Sequence, residues 1–143
     1  MRNYRKVSET PLTRGVLEIK KMGDSKEEFN KSTFHVDDGM SYEDFLKIKN
    51  SKSGQITLKK VSENCGYLRS GETRDGFTPL LAEDFSCYVY LDDPFENYYY
   101  TSTIESIDWE KGEFKTKNST YSFTFKEMSP EEYDKLEEND ILN

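Results

Sequence analysis

The chain has 143 residues, 34% of them hydrophobic and 34% charged, with 28 Asp/Glu against 20 Lys/Arg and a net charge of −8. That length fits a single domain spanning residues 1–143, and no apolar run approaches the roughly 20 residues of a membrane span. Nine Phe, ten Tyr and one Trp argue against an acidic disordered chain, which would be poor in aromatics.

Aliphatic filler is scarce: Ala82 is the only alanine and valine occurs five times. The rings must therefore carry the core, each burying about 150–250 Å². Cys65 and Cys87 form no CxxC, and His35 is the only histidine. A disulfide framework and a His-rich metal site are thereby excluded, and reduced thiols suit a cytoplasmic protein. The start, MRNYRKVSETPLTRG, has basic residues with no apolar run behind them, so no secretory leader is expected.

In chain order, residues 1–14 read as a polar, basic N-terminal arm ending near Pro11. Gly15–Met22 (GVLEIKKM) has strand character, anchored by Val16 and Ile19. Ser25-Lys26-Glu27-Glu28 opens a short helix, and STFHV reads as a strand carrying His35 near Asp37 and Asp38. The first well-signalled helix is SYEDFLKIKN, with Ser41 as N-cap, Asp44 reaching back, and Phe45, Leu46 and Ile48 on its buried side.

The hydrophobic period then switches to two. Gly54–Val61 alternates Ile56 and Leu58 with polar neighbours. Asn64–Gly76 is a strand fragment feeding a Gly-punctuated loop that carries Arg69 and Arg74. In FSCYVYL, Phe85, Cys87, Val89 and Leu91 share one face, and Ser86, Tyr88 and Tyr90 the other. Tyr98–Trp109 and Glu113–Lys117 form a hairpin around DWEKG, followed by Thr120–Phe125 after a Lys117-Asn118-Ser119 turn. MSPEEYDKLEEND closes the chain as a helix with Ser129 as N-cap, Pro130 at its first position and Glu132 completing a capping box. The expected fold is α+β: an antiparallel sheet of about five or six strands with two or three short helices, its C-terminal half a meander.

Charge is distributed unevenly. Residues 1–74 hold 15 Lys/Arg and 11 Asp/Glu, whereas residues 75–143 hold 5 and 17. From Asp75 through Glu110 there is no Lys or Arg. Within this interval LDDPFENYYYTSTIESIDWE interleaves six carboxylates with five rings. Such a surface repels nucleic acid and membranes and attracts basic proteins. Carboxylates at i and i+2 on a strand lie about 7 Å apart, near the phosphate spacing of one nucleic-acid strand, so acids and rings together imitate a charged backbone with stacked bases.

Catalytic signatures are weak. His35 would have to serve any Ser-His or Cys-His mechanism, and adjacent acids such as Asp37-Asp38, Glu83-Asp84 and Asp92-Asp93 point to opposite faces of a strand. Neither a GxxxxGK[ST] nor a GxGxxG phosphate loop occurs.

The segment YYYTSTIESIDWEKGEFKTKNSTYSF resembles the C-terminal β-hairpin of small uncharacterised phage and mobile-element proteins, through Thr101, Ser102, Ile104, Ile107, Thr116, Asn118, Ser119 and Tyr121. It spans under a fifth of the chain, and these residues are turn and strand chemistry rather than a site. The resemblance implies a phage or mobile-element origin rather than an activity, and small acidic phage proteins are often inhibitors of host defence, including anti-CRISPR proteins.

The leading expectation is a non-enzymatic inhibitor, cytoplasmic in the host, that binds a basic nucleic-acid-handling protein such as a CRISPR effector or other nuclease, with no cofactor and no metal. Asp92, Asp93, Glu96, Glu105, Asp108 and Glu110 would supply the field, and Tyr98, Tyr99, Tyr100 and Trp109 the anchors. The alternatives are a small-ligand or nucleotide binder using Arg69, Arg74 and tyrosines, and an unrecognised hydrolase built on acid pairs.

Overall fold

The computed structural model describes residues 11–61, 71–91 and 98–135. In these residues, four short helices precede six strands and a fifth helix follows. They are α1 (Pro11–Lys21), α2 (Lys26–Lys31), α3 (Thr33–Val36) and α4 (Tyr42–Lys49), then β1 (Lys52–Lys60), β2 (Thr73–Leu81), β3 (Ser86–Leu91), β4 (Tyr98–Asp108), β5 (Glu113–Thr116) and β6 (Thr120–Glu127), and finally α5 (Pro130–Asp134). The class is α+β with a six-stranded antiparallel sheet. The sheet closes on itself as a barrel in the order β1-β2-β3-β4-β5-β6, because β1 pairs with both β2 and β6.

The alternation read from the sequence fills this barrel. Ile56 and Leu58 of β1, Cys87 and Val89 of β3, Tyr99 and Ile104 of β4, Phe114 of β5, and Tyr121 and Phe123 of β6 are buried together inside it. Aromatic side chains replace aliphatic ones there, with Phe114 lying 5.2 Å from Tyr121 and 5.8 Å from Phe123 between ring centroids. Inside, the Tyr99 and Tyr121 hydroxyls lie 2.8 Å apart, so each satisfies the other.

The helices cover one side. Val16, Ile19, Phe29, Phe34, Phe45 and Ile48 pack with Leu80 of β2, and Leu17 of α1 and Tyr133 of α5 bury Tyr90 on the outer face of β3. Capping follows the expected chemistry. Ser25, Ser41 and Ser129 each accept a hydrogen bond from the backbone N–H three residues on, and Glu132 completes the box by accepting from Ser129 N.

Four expectations need correction. The GVLEIKKM segment is helical, not a strand: Leu12, Val16 and Ile19 recur at helical spacing against α4, and α1 begins at Pro11, inside what reads as an arm. STFHV is also helical, because Ser32 accepts from His35 N and caps α3. Thus five helices are present among the described residues rather than two or three. Residues 73–81 form a full strand although Gly76 and Pro79 resemble breakers. Gly76 is needed because the Tyr90 carbonyl occupies the space a Cβ would take, and Pro79 follows the last regular pair, Gly54 with Thr78. Finally, Phe85 does not share the face of Cys87, Val89 and Leu91: it precedes the first residue of β3, directly after Asp84 at φ 74°, and packs in the helical cluster.

Candidate functional site

On the outer wall, β3 and β4 pair Tyr90 with Tyr98 and Tyr88 with Tyr100. Successive outward positions on two adjacent strands thus form a block of four tyrosines, two by two. The Tyr88 and Tyr100 rings stack at 5.3 Å with an interplanar angle of 16°. Tyr98 lies 5.8 Å from Tyr88, 6.0 Å from Tyr100 and 6.2 Å from Tyr90. Phe77 of β2 pairs with Tyr90 and extends the row.

Exposure grades across this block. Tyr90 is buried beneath the helices and Tyr88 is half-buried, whereas Tyr98 and Tyr100 are 42% and 57% exposed. The inner part serves the barrel-to-helix packing. The outer part does not, because the same stack continues past the helical edge into solvent. Mutually stacked rings are held in place before any contact is made, which lowers the entropy lost on binding.

Tyr99 belongs to another environment. Between Tyr98 and Tyr100 the strand alternation turns it inward, where it is 6% exposed. Burial, with the Tyr121 hydrogen bond adding, pushes its phenol well above the ordinary range. It is a core residue and no surface anchor, which corrects its sequence-based assignment.

Trp109 lies at the opposite end of β4, about 30 Å from Tyr100 along the strand at about 3.3 Å per residue. It is 43% exposed and sits edge-on over Phe123 and Phe125 at 5.6 and 5.9 Å. The Lys52 ammonium lies 5.7 Å from its ring and also pairs with Glu127 at 3.2 Å. Two grooves of about 450 and 440 Å³ meet at Lys52 and Trp109. The tryptophan and the tyrosine block are therefore two separate patches.

The acids divide similarly. Glu105 is exposed on β4 and Glu110 in the following turn. Asp108 is engaged by its turn, its Oδ1 accepting from Glu110 N and Lys111 N at 3.1 Å each. Asp92, Asp93, Glu96 and Arg69 lie outside the described residues. Asp75 is exposed on β2; Glu83 accepts from Ile107 N, and Asp84 pairs with Lys47 at 2.7 Å. Exposed lysines 59, 115 and 126 lie on β1, β5 and β6, away from the tyrosines.

Arg74 is paired opposite Leu58 and so projects on the interior side of the sheet, whereas the tyrosine block is outside. His35 is exposed on α3, its ring 5.1 Å from Phe29. Cys87 is fully buried beside Thr78, and burial pushes its thiol up to about 12. Among the described residues no group of three or more His, Cys, Asp or Glu converges as a metal site, and no helix is long and apolar enough to cross a membrane. No family model, curated protein or solved structure matches the chain.

Proposed function

We propose that the chain is a non-enzymatic binding protein whose outer tyrosine block docks onto a basic protein surface. The observation that carries this reading is the continuation of the stack from buried Tyr90 to exposed Tyr98 and Tyr100, within a stretch of 36 residues, 75–110, that has no Lys or Arg. Tyrosine supplies large contact area with few torsions to freeze. The acidic C-terminal half steers a cationic partner, and a nucleic-acid-handling protein of a bacterial host is the partner class that the charge and the phage-like hairpin favour.

The small-ligand alternative is less well supported, since Arg74 and the exposed tyrosines lie on opposite faces of the wall. An acid-pair hydrolase is likewise disfavoured: Glu83 and Asp84 are adjacent yet engage different partners, the Ile107 amide and Lys47.

The test is capture from a defence-competent bacterial lysate at low and high salt, with the natural chain and with Tyr98→Ser/Tyr100→Ser. A salt-sensitive partner retained by the natural chain and lost by the double variant is expected. Equal retention by both would refute the tyrosine block as the docking surface.

A further inference from the structure

β4 has eleven residues and β5 only four. β5 pairs with Ile104–Asp108, and the 117–119 turn then lies where β5 would continue. Tyr98–Thr103 is held by β3 along one edge. Along the other, among the described residues, it has no strand partner and no further backbone hydrogen bond. Among the described residues the barrel wall is therefore notched beside the exposed tyrosines, and alternate N–H and C=O groups of this segment have no ladder partner there.

Open edges are normally protected by lysine, proline, a bulge or very short length. Tyr98-Tyr99-Tyr100-Thr101-Ser102-Thr103 has neither charge nor proline, consists mostly of strong strand formers, and is about 20 Å long. A bulge on β4 itself, which places Thr101 and Ser102 opposite Cys87, ends its regular stretch, so the open ladder beside the tyrosines is Tyr98–Tyr100; a second bulge on β4 follows at Glu105.

Resting on the docking reading above, we infer that this edge takes an extended, arginine-bearing segment of the partner as an added strand beside β4. Strand addition supplies main-chain hydrogen bonds, and alternate side chains supply specificity. Every second residue of the added strand projects outward, about 5 Å from its neighbour on β4, so its side chains meet Tyr98 and Tyr100. A guanidinium stacks on such rings within about 6 Å, where a carboxylate is repelled by the acidic half. A second copy of the chain is disfavoured as occupant: edge-to-edge pairing would bring together two halves that each hold 17 acids and 5 bases.

The test uses a synthetic peptide of about seven residues alternating Arg and Thr, read by calorimetry and by amide exchange of the intact protein. Saturable binding is expected, with slowed exchange at Tyr98–Tyr100, at least about tenfold loss on alternate backbone N-methylation of the peptide, and loss with Glu in place of Arg. Because the backbone change is made in the probe, folding of the protein is not at issue. Absence of binding, equal binding of the N-methylated peptide, or self-association of the chain through this edge would each overturn strand addition. If any of these occurs while Tyr98→Ser/Tyr100→Ser still abolishes partner capture, the tyrosine surface stands and only the strand mode falls.

Discussion

Tyr99 and Tyr121 provide a quantitative test of the barrel interior. Their hydroxyls are 2.8 Å apart and both side chains are nearly inaccessible. Tyr99→Phe leaves the Tyr121 hydroxyl with no partner there, at a cost of about 1–3 kcal/mol; Tyr121→Phe does the same to Tyr99. Replacing both removes donor and acceptor together, so the double variant should lose no more than either single one. Two losses of about 2 kcal/mol that fail to add imply a coupling of about 2 kcal/mol, within the range for contacting residues. In urea unfolding the midpoints should fall at unchanged slope, and each single variant should melt about 4–8 °C lower. Because burial raises the folded Tyr99 phenol, its stabilising contribution is complete below the unfolded value near 10 and is lost as pH climbs beyond it. Tyr99→Phe should remove that alkaline loss while leaving partner binding intact. Strictly additive single losses, or a neutral Tyr99→Phe, would refute the hydroxyl pair and the inward orientation of Tyr99.

Other expectations concern backbone room and buried titratable groups. Gly76→Ala places a methyl against the Tyr90 carbonyl and should cost the β2–β3 pairing, read as a large loss of the cooperative thermal transition. Gly39→Ala, at φ +64° with open space around it, should cost only about 1 kcal/mol. Cys87 should resist alkylation in the native protein at pH 8 and react only on unfolding. Its raised thiol pKa contributes stability that is complete below about 8.5 and lost toward about 12. Lys20 has the opposite sign. Burial lowers its amine to about 8, against the pull of Glu127, so the penalty on its charged form is relieved as pH rises from about 8 to about 10.4. Lys20→Gln should flatten that rise in the urea midpoint, and an unchanged profile would contradict the burial of the amine.

Much of the barrel was legible because period-two alternation survives wherever one face is buried. This is why β1, β3, β4, β5 and β6 are legible, together with the opening of α2 at Ser25 and the serine caps of α4 and α5. The missed strand β2 contains Gly76 and Pro79, whose local propensities oppose strand formation. Tertiary context overrides them, through the approach of Tyr90 and the end of regular pairing. Val16 and Ile19 alone fit either a helical face or two strand anchors, and only their packing with Leu12 against α4 makes Pro11–Lys21 a helix. Closure was not legible, since it depends on β1 meeting β6, a pairing of distant segments. In the site, the tyrosine run was visible but its division was not. Alternation alone requires one of three consecutive tyrosines to face away from the other two; choosing the inward one requires the register with β3. The notch left a readable trace in the short EFKT strand opposite an eleven-residue partner.

The most direct measurement is hydroxyl-radical footprinting of the natural chain, alone and with its captured partner. The docking reading requires Tyr98 and Tyr100 to be modified in the free protein and protected in the complex, with Trp109 modified about equally in both and Tyr99 unreactive throughout. Protection of Trp109 with Tyr98 and Tyr100 still fully reactive would contradict it and move the contact to the groove end of the barrel.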